Sequence, residues 1–408
     1  MPARPVVLVV VADTDPEEYR GYCLEQVAAA YDVVLITGSE PTWQRPHLID
    51  YEVADPGDQA ALSAAGRALA ARHPLAGVMT WTEWYLVPVA RLARQLGLPT
   101  TAPEAMQGCR NKAASRTLFA RHGVPSAASA SATTVAEAAA AAERIGYPAV
   151  LKPASHAASI GVIRVDHRAA LDDAFAFTTR AAGRSSENPR VLVEEYLDGP
   201  EVSVECVSYR GVTAAVAVTR KTLSAPPLFE EIAHSVDATD PLLTTVAPAA
   251  TAAVQALGIT DGVSHAEVRL VDGRPRLIEV NGRIAGDMIG HLVHLATGID
   301  LPRAAADIAC GRAPNLTPTR ISAAAIRLLY PDTSGTVAEL NLDDAWQPWL
   351  ERTVFQRRPG EKVLLPQDGG DGFTARLGYL ITTGPTGALA QARAQAVQQH
   401  LVADITPN

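Results

Sequence analysis

The sequence predicts a protein of mixed α/β and α+β architecture in three parts, and three observations carry that prediction. The chain has 408 residues, too many for one ordinary hydrophobic core, so two to three domains are expected. Its first hundred residues alternate β-branched runs with helical segments over short connections, the pattern of a doubly wound parallel sheet. From residue 319 onward the pattern changes to short strand-like runs punctuated by Gly and Pro, followed by a long Ala- and Gln-rich stretch. That change predicts a smaller α+β unit at the C-terminus. The expected divisions are 1–100, 101–314 and 315–408.

Composition narrows the class. Hydrophobic residues make up 48% and charged residues 19%, an ordinary globular balance. Net charge is −9, from 35 basic and 44 acidic residues, and no basic block stands out, which argues against nucleic-acid binding. Cys23, Cys109, Cys206 and Cys310 are scattered without metal-ligand spacing, so reduced thiols and a cytoplasmic setting are expected. The opening stretch MPARPVVLVVVADTD lacks the length and cleavage pattern of a signal peptide. No apolar run reaches 18 residues, so no membrane span is expected.

The elements follow in order. Residues 6–12, VVLVVVA, form a continuous β-branched run, expected as a strand buried on both faces. A helix from Glu17 to Ala30, a strand from Tyr31 to Thr37, a helix over 59–72, a strand over 76–80 and a helix over 84–97 complete the first domain. No GxGxxG follows the first strand, so this domain reads as a scaffold that supplies one wall of a cleft. Leu98-Pro99 to Pro103 forms the joint. A single helix carrying Lys112, Arg116 and Arg121 then ends at Gly123 and Pro125, and an Ala-rich helix spans 135–146.

Next, a strand from Ala149 to Lys152 leads into a small polar loop, 153–161, and a second strand, 162–165. The loop holds Ser155, His156, Ser159 and Gly161. Small residues let backbone N–H groups approach phosphate oxygens, and Lys152 adds a point charge. Residues 191–207 read as strand, turn and strand around Asp198-Gly199-Pro200, with Glu201 just past the turn. A plain hairpin bearing surface acids is the alternative. From Pro226 to Pro241 no period is visible, so Phe229, Glu231 and His234 are expected in a loop. A helix over 241–257 follows. Beyond Asp287, helices over 288–297 and 300–310 lead to the C-terminal runs, which close with a helix over 385–402.

The stretch His265 to Asp287, HAEVRLVDGRPRLIEVNGRIAGD, is the most informative. Two strand-like runs flank Asp272-Gly273, a hairpin turn signal. Glu279 and Asn281 are two residues apart and share a face. Glu267 joins them only if 267 and 279 are cross-strand partners, which an odd loop over 272–274 would achieve. A two-residue loop would send the carboxylates to opposite faces. If they converge, two carboxylates and an amide oxygen form a site suited to Mg²⁺ on nucleotide phosphates. The alternative is a solvated hairpin.

The order of these motifs resembles the ATP-grasp superfamily: a Lys-bearing helix before GVP, VLKPA with a small-residue loop, VEEYLDGPE, then HAEVRL and IEVNGR. Within it, FEEIAH, VNGRIAGD and the terminal LGYLITTG look most like L-amino acid ligases. The resemblance implies a Rossmann-like N-terminal domain, a central ATP-grasp domain and a C-terminal α+β cap. It also implies roles. Lys112 and Lys152 would contact ATP phosphates, and Ser155 to Gly161, with Ser159, would form the phosphate lid. Glu194, Glu195 and Leu197 would bind adenine, the last two through main-chain groups, and Glu201 would bind ribose. Glu267, Glu279 and Asn281 would hold Mg²⁺, with Mn²⁺ as an alternative. Arg283 would neutralise the transferred phosphate. Glu231 and His234 would lie in the substrate site, and Asp287 would select an amino or basic group.

The implied reaction joins a small carboxylate, such as an amino acid, to an amine through an acylphosphate, releasing ADP and phosphate. A homodimer is the default assembly. The rival functions are a bicarbonate-activating ATP-grasp carboxylase, a non-catalytic nucleotide-binding module and a structural metal hairpin without ATP.

Overall fold

The computed structural model describes residues 4–156, 159–183, 188–342 and 347–407. The leading domain carries β1 (Val6–Val10), α1 (Glu17–Ala28), β2 (Asp32–Thr37), β3 (Leu48–Val53), α2 (Gln59–Arg72), β4 (Leu75–Met79) and α3 (Leu86–Gln95). Its strands form a parallel sheet in the order β3-β2-β1-β4. Every residue of β1 is buried, as its unbroken β-branched run requires. The sequence reading missed β3, whose sequence LIDYEV is mixed in polarity and only half-buried at the sheet edge.

The expected single helix around Lys112 is two, α4 (Pro103–Arg110) and α5 (Lys112–Arg121). Asn111 breaks it. Its side chain accepts from the N–H groups of Ala113 and Ala114, an N-cap that satisfies otherwise orphaned donors. Lys112 therefore opens α5, and its backbone N–H donates to the Ala154 carbonyl at 3.0 Å. That bond ties the helix start to the residue following β6 (Ala149–Pro153).

A second, antiparallel sheet runs β5-β8-β6-β7, from β5 (Ser129–Ala132), β6 (Ala149–Pro153), β7 (Ile163–Val165) and β8 (Val191–Glu195). The Ala-rich α6 (Val135–Ile145) and α7 (Leu171–Ala182) pack on it through Ala138, Ala142, Leu171 and Phe175. The next strand, β9 (Glu201–Tyr209), leaves this sheet altogether. The segment 191–207 is thus a crossing between sheets, and the plain-hairpin alternative falls.

The largest sheet has eight strands. Its sequence-order members are β9, β10 (Val212–Leu223), β11 (Glu231–Asp237), β12 (Gly262–Val271), β13 (Arg274–Asn281) and β14 (Ala323–Leu329). Helices α8 (Leu242–Ala256), α9 (Ile289–Thr297) and α10 (Leu301–Ala309) lie between them in the chain. The expected loop over 226–241 is corrected here: Glu231 and His234 sit on β11, an interior strand paired with β10 and β14. Buried polar side chains, His234 and Ser235, hid its period.

The C-terminal region contributes β15 (Gly335–Leu342), β16 (Leu350–Phe355), β17 (Lys362–Val363), α11 (Gly372–Ala375), β18 (Gly378–Gly384), α12 (Gly387–Gln398) and β19 (Leu401–Pro407). The closing helix stops at Gln398, short of the expected 402, and a strand follows it. The order of the large sheet is β13-β12-β9-β10-β11-β14-β18-β16. Three C-terminal strands therefore extend the central sheet, while β17-β15-β19 stand beside it. One core joins Val7 and Leu35 to Leu292, Ile308, Ile326 and Tyr379, so N-terminal and C-terminal parts share buried surface. Among the described residues no helix is long and apolar enough to cross a membrane.

Candidate active site

A cavity of about 730 Å³ opens between the leading domain, the small antiparallel sheet and the large sheet. Its construction starts at the β12–β13 hairpin. The turn is a two-residue loop after all: Val271 pairs with Arg274, and Asp272 and Gly273 take φ values of +50° and +74°. A regular ladder from that turn would put Glu267 and Glu279 on opposite faces. A β-bulge prevents it. Val268 pairs with Leu277 but Glu267 pairs with Glu279, so Ile278 is an extra residue that restores the shared face. The expected three-residue loop is overturned, and the convergence it was meant to explain is present by another route. Both carboxylates line the cavity.

Asn281 completes this end. Its side-chain amide lies 3.1 Å from Glu279 Oε1 and 3.3 Å from Glu83 Oε2. With nitrogen turned toward them it donates to both. With oxygen turned toward them, the converging oxygens call for a cation among them. Each expected metal acid also already holds a lysine: Lys112 Nζ is 2.9 Å from Glu279, and Lys221 Nζ is 2.6 Å from Glu267. The donor set of hard oxygens, drawn to positive charge, fits Mg²⁺.

Opposite lies a cation-rich cluster. Glu194, buried on β8, receives Lys152 Nζ at 2.6 Å and Arg116 Nη2 at 3.0 Å. Burial alone would raise its pKa, but the two cations outweigh burial and hold it at about 2. Burial in turn lowers Lys152, opposed by Glu194. Lys112 donates to the His156 carbonyl beside this cluster. The cavity wall here includes Lys112, Lys152, Ser159 and Glu194.

Two loop residues sit elsewhere than expected. Ser155 and Gly161 do not line the cavity. Gly161 has φ +75°, and a Cβ there would stand 2.3 Å from Ala181 Cβ, so packing against α7 demands glycine. Residues 157 and 158 of the expected lid lie outside the described residues.

The connector after β8 forms the apolar end, with Val150, Tyr196, Leu197, Phe229 and Ile278 on the wall. Tyr196 and Phe229 have ring centroids 6.4 Å apart, and the Arg269 guanidinium stands 5.5 and 5.3 Å from them. Arg269 also bonds Glu201 at 3.0 Å and the Leu197 carbonyl at 3.0 Å. The Glu195 N–H donates to Ala128, while among the described residues nothing accepts from the Leu197 N–H.

The third wall holds Glu231, Arg283 and Asp287. Arg283 pairs with Glu83 at 2.6 Å, and Glu83 also pairs with Arg110 at 2.9 Å. Burial raises Glu83, but Arg283 and Arg110 outweigh it and hold it below the usual carboxylate range. Asp287, in a left-handed conformation at φ +46°, is gripped by Arg376 at 2.5 and 3.2 Å. Its charge is therefore already matched, which weakens the expectation that it selects an amine by acidity alone. His234 is fully buried and off the cavity, with Nε2 3.1 Å from Glu231 and 3.6 Å from Asp287. It stands behind these acids. Although Glu231, His234 and Asp287 offer ligand atoms within 4.8 Å of one another, Lys221 and Arg376 already supply cations to both acids.

Sequence reasoning missed Glu83, Lys221, His265 and Arg376. His265 bridges Glu205 at 2.8 Å and Glu267 at 3.3 Å. Burial would lower its pKa, but Glu205 and Glu267 outweigh burial and push it up to about 9. Buried lysine and arginine are rare, and nothing in local periodicity marks Lys221 or Arg376.

Comparisons with known proteins agree with this architecture. Three family profiles match: the ATP-grasp N-terminal domain over residues 27–100, the ATP-grasp domain over 145–291, and the L-amino acid ligase C-terminal domain 2 over 327–406. An uncharacterized protein of Sinorhizobium fredii is 30% identical over 337 residues, covering 82% of this chain and 69% of that protein. Carnosine synthase 1 of Homo sapiens is 29% identical over 270 residues, covering 60% of this chain but only 32% of that protein. The crystal structure of L-amino acid ligase from Bacillus licheniformis superposes with a TM-score of 0.83 at 24% identity, covering 99% of this chain and 100% of that one. With its three profile matches in order and its cation-rich and acid-rich walls facing one cavity, the chain belongs to the ATP-grasp superfamily, among the L-amino acid ligase-like proteins.

Proposed function

We propose that the protein is an ATP-dependent carboxylate–amine ligase that joins an amino acid to a second amino acid or another amine, working in the cytoplasm. The observation that carries this reading is the pairing of two opposite charge clusters across one cavity, Glu194 with its cations and the Glu267–Glu279 hairpin.

Adenine would lie against Tyr196 and Leu197, with the free Leu197 N–H available to a ring nitrogen, and Glu201 would accept from ribose hydroxyls. Lys112 and Lys152 would hold the phosphates as point charges, with Ser159 at the lid. Glu267, Glu279 and the Asn281 oxygen would hold Mg²⁺, or Mn²⁺ in its place. Bound there, the ion would supply charge neutralisation at the β- and γ-phosphates.

The chain's own residues would do the remaining work. The substrate carboxylate attacks the γ-phosphorus, the bond to ADP breaks, and the acylphosphate forms. Arg283 stabilises the transferred group and must leave Glu83, or share it, to do so. The amine then displaces phosphate to give the amide. Glu231, supported from behind by His234, and the Asp287 turn, held by Arg376, shape the amino-acid end. The enclosing walls keep water from the acylphosphate. Rate acceleration comes from positioning and electrostatics, with no covalent enzyme intermediate.

The test is a matrix of amino acids and simple amines with ATP and Mg²⁺, scored by phosphate release and product mass. An amide product mass with one phosphate per bond is expected. Phosphate release that depends on bicarbonate and yields no amide would replace this reading with a carboxylase. Nucleotide binding without turnover across the whole matrix would replace it with a binding module.

A further inference from the structure

Lys221 lies where the two ends of the cavity meet. Its ammonium is 2.6 Å from Glu267, 2.8 Å from Glu231 and 3.7 Å from Glu201, and its side chain is 1% exposed. The three acids come from three strands, β12, β11 and β9, around the β10 strand that carries the lysine. Acids and bases alternate outward from it. On one side Glu267 meets His265, which meets Glu205. On the other, Glu231 meets His234, His234 approaches Asp287, and Asp287 pairs with Arg376. An ammonium is a compact point charge with three donors, so a single lysine divides its charge among these carboxylates. What one acid gains, the others lose.

We infer that Lys221 is a positioning residue that couples the metal–nucleotide end of the cavity to its amino-acid end by sharing one ammonium between Glu267 and Glu231. The inference rests on the proposed reading of Glu267 as a metal acid and Glu231 as a substrate acid. A cation taken up at Glu267 repels the ammonium toward Glu231, because like charges a few ångströms apart interact strongly in a buried setting. Conversely, neutralising Glu231 drives the ammonium onto Glu267, where it competes with the metal. By linkage, a cation bound at Glu267 and an ammonium group bound at Glu231 would change each other's affinity by the same factor. Neither Lys221 nor Glu231 needs to touch the nucleotide.

The experiment is calorimetric binding of Mg²⁺–ADP to the full chain, with no amino acid and no turnover. Glu231→Gln is expected to weaken binding roughly three- to tenfold, the usual size of coupling between contacting charged groups. In a Lys221→Met background the same substitution is expected to change binding by less than about twofold. Glu17→Gln, an exposed acid outside the cavity, is the control and leaves the affinity unchanged. Unchanged affinity in Glu231→Gln overturns the inference, as does an equal loss with and without Lys221. If Lys221→Met does not fold, the neutral Lys221→Gln takes its place, and an effect of Glu231→Gln as large as in the unaltered chain overturns the inference. Failure of the unaltered chain to bind Mg²⁺–ADP overturns the nucleotide reading and this inference together. Binding that ignores Glu231 overturns this inference alone.

Discussion

Glu194 and Lys221 are the centres of two inverted charge clusters on facing walls of one cavity. Around Glu194 a single buried carboxylate stands between Arg116 and Lys152. Around Lys221 a single buried ammonium stands among Glu201, Glu231 and Glu267. Each central group faces two or three groups of opposite sign, and the acids of the second cluster draw further positive charge from Arg269, His265 and His234. In the proposed reading the first suits phosphate, and the second suits a divalent cation and an ammonium group. They also differ in how they are built. The Glu194 cluster joins the start of α5 to the ends of β6 and β8, in and beside the small sheet. The Lys221 cluster is laid across strands of the large one. Arg376 ties the second cluster to the C-terminal region, just before β18.

The comparison breaks most sharply at the hairpin. Glu279→Gln should lower ADP release by about a thousandfold, or roughly 4 kcal/mol of transition-state stabilisation, measured by coupled turnover. Near-normal turnover in this variant would remove the metal role from this wall.

On the opposite wall, Lys152→Met leaves Glu194 with Arg116 alone. Breaking a buried ion pair costs roughly 3 kcal/mol or more, so the denaturant midpoint should fall and the KM for ATP should rise. An unshifted KM with a lowered midpoint would make Lys152 structural only. The same wall should respond to acid. The folded pKa of Glu194, about 2, lies below its ordinary value of 4.5. Its contribution to stability is thus complete above about pH 4.5 and is lost as pH falls toward 2. At about 1.4 kcal/mol per unit the gap is worth roughly 3 kcal/mol. Urea titrations between pH 6 and pH 3 in the unaltered chain and in Glu194→Gln should converge as pH falls, and parallel curves would contradict the assignment.

The smallest effect is expected at the amino-acid end. His234→Ala should raise the KM for the amino acid by about tenfold, near 1.4 kcal/mol, with the KM for ATP unchanged. A loss confined to ATP would place His234 with the wrong half of the cavity. Asp287→Asn should alter the substrate profile through the Arg376-held turn, and an identical profile would take Asp287 out of substrate choice.

Much of this was legible in the residues. Continuous β-branched runs located β1 and β2, and the Asp272-Gly273 pair located the β12–β13 turn within a residue. Most proposed nucleotide and metal residues, including Lys112, Lys152, Glu201, Glu267 and Glu279, line one cavity. What failed had identifiable causes. The β11 strand was hidden because polar His234 and Ser235 occupy buried positions and a bulge opposite Leu223 interrupts its alternation. The two-helix break at Asn111 was hidden because a cap is read from geometry as much as from residue type. Gly161, expected in the lid, is required by its close approach to Ala181, a contact no local pattern announces.

The sequence by itself determined the order of the motifs, and with it the superfamily, because motif order along a chain survives when individual residues are ambiguous. It also determined which acids and lysines were available to a nucleotide. Only the tertiary structure decided which of them face one another. The bulge at Ile278 reversed the consequence of a two-residue turn, and Lys221, Glu83 and Arg376 entered the site from positions with no local signal. The physical reason is common to all of them. Register, burial and the pairing of buried charges are set by contacts between strands distant in sequence, and no window of neighbouring residues contains that information.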